Sequence, residues 1–266
     1  MDFIYCPDIS YFAFPVNLIA GVFLLLGIYT LHCYYRNTPI VKWLSGMSGT
    51  LTVTALLIIL LVVEGIWALK LFRSWIFIGL EVLLLLNLGL VILQKRRNFT
   101  PRHLLFLANH AGLWLVLSAA LLGAPDREEY KLIAPLNQTE YNAMDEYGHL
   151  HPLPFTVTLT RFDLQYYPTP NERVPRYFSS SLTLKSKDMQ ENVSIEVNHP
   201  ADFKGYSLYQ DSYDQKRGAD SAYSVLLVVR DPWIGVVYVG IVLLLAGAVG
   251  LIISGPIRKE AEYDLG

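Results

Sequence analysis

Charge is what this sequence most lacks. Of its 266 residues only 17% are charged, while 53% are hydrophobic; soluble domains sit nearer a quarter charged. The net charge of −2 leaves no electrostatic footprint for nucleic acid. Cysteine is scarcer still. Cys6 and Cys33 are the two present, and no CxxC occurs, so neither a thiol-redox motif nor a cysteine zinc site is available. The two thiols flank an apolar run long enough to cross a bilayer of about 30 Å, which places them in opposite compartments and forbids their pairing. There is no HExxH, no phosphate-cradling glycine loop, no Ser-His-Asp spacing that can be ordered, and no internal repeat or low-complexity tract. The first residues carry Asp2 and Asp8 but neither Lys nor Arg, the reverse of a cleaved signal peptide.

What the chain has instead is long apolar runs. Five read as membrane helices, near 16–35, 51–69, 75–94, 104–123 and 233–254. Pro15 and Pro101 suit first helical turns, where a missing N–H does no harm. Lys and Arg in short loops set the orientation. Lys95, Arg96, Arg97 and Arg102 mark the strongest cytoplasmic loop, and alternation then puts Arg36, Lys42, Arg258 and Lys259 on the same side. Lys70 and Arg73 dissent. The expected arrangement is a four-helix transmembrane region (1–123), an extracytoplasmic domain (124–231), a fifth span (232–254) and a cytoplasmic tail (255–266). This is a multi-pass protein of the inner, cytoplasmic membrane with its N-terminus outside.

Between the fourth and fifth spans the pattern changes from continuous runs to alternation. Phe155, Val157 and Leu159 alternate with Thr156, Thr158 and Thr160, which is strand period with one buried face. Further strands read at about 176–186, 193–198, 206–213 and 222–230, separated by Pro168, Pro170, Pro175, Pro200, Gly205 and Gly218. An antiparallel β-rich domain follows, either a sandwich or a partial barrel. The stretch 124–152 is less patterned and reads as irregular or helical. Such a fold by itself says little about function.

Polar groups inside the spans cost free energy, roughly 2.5–3.5 kcal/mol for a charge at a helix centre. Glu64, Glu81 and His110 therefore need a reason, and Asn87 and Asn109 are lesser cases. His103, Phe106, His110, Trp114 and Ser118 form one helix face, with His110 roughly 9–10 Å into its span. An imidazole flanked by Phe106 and Trp114 suits a flat porphyrin ligated at iron. The bland alternative is a histidine bonded to a neighbouring helix amid ordinary packing. Glu64 and Glu81 read either as a proton relay or cation anchor, or as protonated carboxyls bonding to helix backbone. A proton-coupled transporter built on them lacks the expected broken helices and inverted repeats. Ala246-x-x-x-Gly250 offers a small-residue ridge for close helix packing.

The most recognisable stretch is Val197-Asn198-His199-Pro200, then Gly205-Tyr206 leading to Tyr209-Gln210, Ser212-Tyr213-Asp214 and Val228-Val229-Arg230-Asp231-Pro232. With His110-Ala-Gly112, and with Leu153-Pro154-Phe155 opening a strand that ends in Tyr166-Tyr167, it resembles the ResB/CcsB family of cytochrome c biogenesis proteins (system II). The resemblance spans most of 48–254. It implies a haem-delivery subunit, non-catalytic alone, that works with a ResC/CcsA-type membrane subunit. That pair moves haem b across the membrane and presents it to apocytochrome c. His110 would be the haem axial ligand, with Phe106 and Trp114 beside it, and the partner would supply the second ligand. Asn198, His199, Tyr209, Gln210 and Tyr213 would be partner-docking candidates, or simply a turn and strand packing. The chain differs in being compact, in having an extra N-terminal span, and in lacking a tryptophan-rich haem-handling segment. The competing expectation is a membrane assembly scaffold that binds no haem.

Overall fold

The structure, a computed structural model, describes residues 9–67, 74–95, 100–168 and 174–255. Cys6, Lys70, Arg73, Arg96, Arg97, Pro170, Arg258 and Lys259 lie outside them. The chain divides into two compact units, Met1–Asp126 with Trp233–Gly266, and Arg127–Pro232.

The first unit is helical. Its long helices are α1 (Val16–Tyr34), α3 (Met47–Trp67), α4 (Trp75–Lys95), α5 (Pro101–Gly123) and α6 (Ile234–Ile253), with a short α2 (Pro39–Leu44) between α1 and α3. At 19 to 23 residues and 1.5 Å rise, each matches the hydrocarbon thickness of a bilayer. Five helices are long and apolar enough to cross. Large apolar side chains remain exposed along them, among them Phe23, Ile59 and Val242; water would not tolerate such faces, and acyl chains would.

Proline and threonine set the helix starts. Pro101 occupies the first turn of α5 while Thr100 caps it, accepting from the His103 N–H at 3.3 Å. α5 and α6 pack along most of their length through glycine. A Cβ added at Gly247 would lie 2.6 Å from the Leu105 carbonyl oxygen, and one at Gly250 would meet the Leu105 side chain, so backbone approach excludes any larger residue. The sequence ridge at Gly250 is thus one part of a longer stripe that includes Gly240 and Gly247. A second cluster, Ile28, Val41, Leu44 and Leu90, joins α1, α2 and α4.

The second unit is one antiparallel sheet of eight strands in the order β5-β4-β3-β2-β1-β8-β7-β6. The strands are β1 (Glu128–Pro135), β2 (Thr139–Met144), β3 (Leu150–Tyr166), β4 (Pro175–Lys185), β5 (Gln190–Glu196), β6 (Ala201–Phe203), β7 (Tyr206–Tyr213) and β8 (Tyr223–Arg230). The border strands β5 and β6 follow one another in the chain through the turn bridged at Glu196–His199 and lie close together, so the eight strands form one nearly closed sheet rather than two stacked sheets. Phe155, Val157 and Leu159 are buried while Thr160 is exposed, the alternation that β3 shows in its sequence. The core also holds Leu132, Leu182, Leu184, Ile195, Leu208 and Leu226.

One expectation is corrected. The segment 124–152 is neither irregular nor helical over most of its length, because it contains β1 and β2 after a 3-10 turn at Ala124–Asp126. Two features hide the signal. In β1 the outward Ile133 is half exposed, so both faces read partly apolar. In β2 a bulge between Glu140 and Asn142 shifts the period by one residue.

Candidate functional site

His110 sits two turns along α5, and its neighbours define three sectors of that helix. Gly112 and Asn109 meet α6, the Asn109 Nδ2 donating to the Leu244 carbonyl at 3.0 Å. Ala111, Trp114 and Leu115 line a cavity shared with α1 and α4. At 3.6 residues per turn, His110 and Phe106 fall in the sector between, where both are half-buried.

Within that sector the imidazole is held in one orientation. Its Nδ1 lies 3.0 Å from the Phe106 carbonyl oxygen; a carbonyl can only accept, so Nδ1 carries the proton. Nε2 makes no hydrogen bond to a described residue. In its neutral form a ring so held presents its lone pair at Nε2, the form in which histidine binds a metal, with a backbone carbonyl fixing the tautomer. The Phe106 ring packs on the imidazole with centroids 3.9 Å apart and planes 30° apart. His103 stacks beyond it at 6.0 Å from Phe106, and its Nε2 is buried with no hydrogen-bond partner among the described residues. Trp114 turns away from this ladder, its indole N–H donating to the Leu85 carbonyl of α4 at 3.1 Å. Ser118 donates to the Leu115 carbonyl at 3.1 Å. The structure thus brings His103, Phe106 and His110 together and engages Trp114 with a neighbouring helix.

A match to a known family lies over this helix and strands β1 to β7. The ResB-like family model covers residues 101–222. That stretch is similar to the ResB-like family. The chain is also 33% identical over 100 residues to protein NrfI of Wolinella succinogenes, a match covering 36% of this chain and 10% of that much longer protein. Among solved structures, the cytochrome c haem lyase CcmF superposes with a TM-score of 0.39 at 13% identity, over 90% of this chain and 46% of that one.

The sheet disperses the five residues expected to dock a partner. Asn198 and His199 form the tight turn from β5 to β6. Asn198 takes a φ of 66°, a left-handed conformation that asparagine tolerates, and His199 Nδ1 pairs with Glu196 at 3.0 Å. Tyr209 points outward and is 39% exposed. Gln210 and Tyr213 are interior. Gln210 Nε2 donates to Ser224 Oγ at 2.8 Å and to the Ser212 carbonyl at 3.0 Å, while Ser180 donates to the same Ser224 hydroxyl at 2.8 Å. Tyr213 packs between Phe162 and Phe178, and its burial raises the phenol pKa.

Of the acidic pair, Glu81 is 8% exposed and lines an apolar cavity of about 560 Å³ with Asn17, Trp75 and Phe77. Glu64 is half-buried on α3. Sequence reading missed two groupings. The Asp126 carboxylate accepts from the Phe14 N–H at 2.7 Å, Asn17 Nδ2 at 2.6 Å and Trp233 Nε1 at 2.7 Å, clasping α1 and α6 at one point. In the β2–β3 loop, Asp145 accepts from His151 Nε2 at 3.0 Å and His149 Nδ1 at 3.2 Å, and Tyr130 stacks on His151. Desolvation alone would raise the Asp145 carboxyl. Hydrogen bonds from His151, the His149 and Tyr147 backbone and the His149 ring hold it well below the usual carboxylate range.

Proposed function

We propose that this chain is a membrane subunit for cytochrome c assembly in which His110 ligates haem during its delivery. The observation that carries this reading is the Nδ1–H bond from His110 to the Phe106 carbonyl at 3.0 Å, which leaves Nε2 free to coordinate. The donor set fits the cargo. A fixed imidazole lone pair suits haem iron, a ring packed on the imidazole suits a flat macrocycle, and the orphaned His103 Nε2 supplies a second polar contact on the same face. The half-buried sector around His110 is one side of a site, consistent with a ResC/CcsA-type subunit furnishing the other side and the second axial ligand. Bound haem would supply vinyl groups for thioether formation with apocytochrome thiols, chemistry that belongs to the cofactor. This chain's residues hold the imidazole tautomer and limit access of water. The basic loops orient that helix with its start in the cytoplasm and the β unit outside.

The test is optical. The chain is purified with its partner subunit and the haem spectrum recorded. His110→Ala is expected to abolish the low-spin signal while the two subunits still co-purify; an unchanged spectrum overturns the ligand assignment.

A second reading, a scaffold that binds no haem, draws on the outward face of the sheet. Val225, Leu227 and Val229 of β8 point outward beside Ile133 and Tyr209, which are 51% and 39% exposed, with Lys131 and Glu129 of β1 opposite Leu227 and Val229. This mixed apolar and charged face offers a surface for a partner. It predicts a silent His110→Ala and a lost complex in Leu227→Lys.

A further inference from the structure

The helical unit carries a polar cavity away from the His110 face. It measures about 590 Å³ and is lined by His32, Arg36, Asn37, Lys42, Ser45 and Gln94, among others. Here α1 ends, α2 and α3 begin and α4 ends. Arg36 and Lys42 make no ion pair among the described residues. Nothing acidic is near them in the chain either: no Asp or Glu occurs between Asp8 and Glu64, between Glu81 and Asp126, or between Asp231 and Glu260. The positive charge at this end of the bundle is therefore open to an anion from outside, the tail beyond Gly255 aside.

The wall of the cavity is held in place. Gln94 Nε2 donates to Ser45 Oγ at 2.8 Å, and Ser45 Oγ donates to the Val41 carbonyl at 2.7 Å. Buried Asn87 donates to the Leu44 carbonyl and, at 2.9 Å, to Thr50 Oγ1. The α2–α3 corner is thus fastened to α4, and Lys42 is carried on it.

Leu93 lines this cavity and also an apolar one of about 450 Å³ between α1, α4 and α5, where Leu25, Ile28 and Tyr29 form the α1 wall and Trp114 the α5 wall. Leu25, Tyr29 and His32 follow one another on one face of α1 at spacings of four and three, and Arg36 stands in the turn just past the helix end at Tyr34. From Leu25 to His32 the rise is about 10 Å, the reach of part of one acyl chain. Tyr34, Tyr35 and Trp43 are exposed around the polar end, the side chains expected at headgroup depth.

We propose that this continuous polar and apolar groove is a binding site for an anionic phospholipid. Its phosphate lies between Arg36 and Lys42, and one acyl chain runs over Leu93 toward Trp114. The shared chemistry, a carboxylate or phosphate head on an apolar body, also describes haem propionates. Phospholipid is the occupant because the cations stand at headgroup level and the apolar part is a lengthwise groove beside α1. This assignment does not rest on the haem reading.

Native mass spectrometry of the full chain, released from nanodiscs of equal phosphatidylglycerol and phosphatidylcholine, tests it. The expected result is phosphatidylglycerol retained several-fold above its bulk share. Cationic contacts of this kind are worth about fivefold each, so the R36Q/K42Q variant should return retention to the bulk ratio. The R36K/K42R variant should preserve the preference, and Leu93→Trp should reduce retention of both lipids by filling the groove. Gel filtration and circular dichroism verify folding, and if the glutamine variant misfolds, the other two decide. Equal retention of both lipids, a preference that survives R36Q/K42Q, displacement by millimolar inorganic phosphate, or displacement by haemin that phosphatidylglycerol does not reverse would each overturn the proposal.

Discussion

Gly112 of α5 and Gly240 of α6 face one another backbone to backbone. A methyl group on Gly112 would lie 2.6 Å from the Gly240 carbonyl oxygen, and one on Gly240 would lie 2.9 Å from the Gly112 carbonyl oxygen. Neither obstacle is a side chain that can swing aside. Gly112→Ala should therefore separate the two helices at a cost of about 1–3 kcal/mol, the range for overpacking. A lowered thermal midpoint in detergent checks this. Gly235→Ala is the control, since a Cβ there meets nothing within 4 Å and the midpoint should not fall.

The Asp126 clasp yields a second expectation. Its three hydrogen bonds reach Phe14, Asn17 and Trp233, and bonds to an ionised group contribute roughly 1.5–3 kcal/mol apiece. Asp126→Leu should loosen the starts of α1 and α6 and speed hydrogen exchange there. Trp233 emission should shift as its indole N–H loses its acceptor, and an unmoved spectrum would count against the clasp.

Acid should act on the β2–β3 loop. The Asp145 carboxyl has a depressed pKa, so the folded state favours its charged form. The stabilisation is complete above the unfolded value near ~3.9 and is lost as pH falls through the lower folded value. Asp145→Asn should accordingly speed hydrogen exchange across 145–151 at neutral pH, with the difference from the parent shrinking below about pH 4.

The β5–β6 turn separates geometry from recognition. Asn198 has a φ of 66°, so Asn198→Gly keeps the turn, whereas Asn198→Val should cost at least about 1–2 kcal/mol. If the asparagine only shapes the chain, the glycine variant will bind the partner subunit proposed above as the parent does in a pull-down. A lost complex with intact stability would instead make the side chain a contact.

The spans were legible because a bilayer demands unbroken apolar length, and the β3 alternation because one face of a sheet is buried. The β1 and β2 strands were not, since an exposed Ile133 and a bulge after Glu140 blur a period of two. In the site, the spacing of His103, Phe106 and His110 put three rings on one helix face, as the structure has them. Spacing carried no information about Trp114, whose direction is set by the Leu85 carbonyl on another helix. The Asp126 clasp lay out of reach for a related reason: its partners, Asn17 and Trp233, are more than 100 residues away in sequence. Gln210 and Tyr213 show the limit of motif reading, since both sit in a recognisable run and both turn out to face the core.

The sheet's curl has one further consequence. An open ribbon of eight strands would offer two rows of unmet peptide groups to any neighbour, and copies held in a membrane are concentrated in two dimensions. Here one border strand, Ala201–Phe203, is three residues long, and the curl brings the other, Gln190–Glu196, close beside it. A short border strand and an edge turned toward its opposite leave less room for a second molecule to add on, so the curvature itself works against lateral fusion.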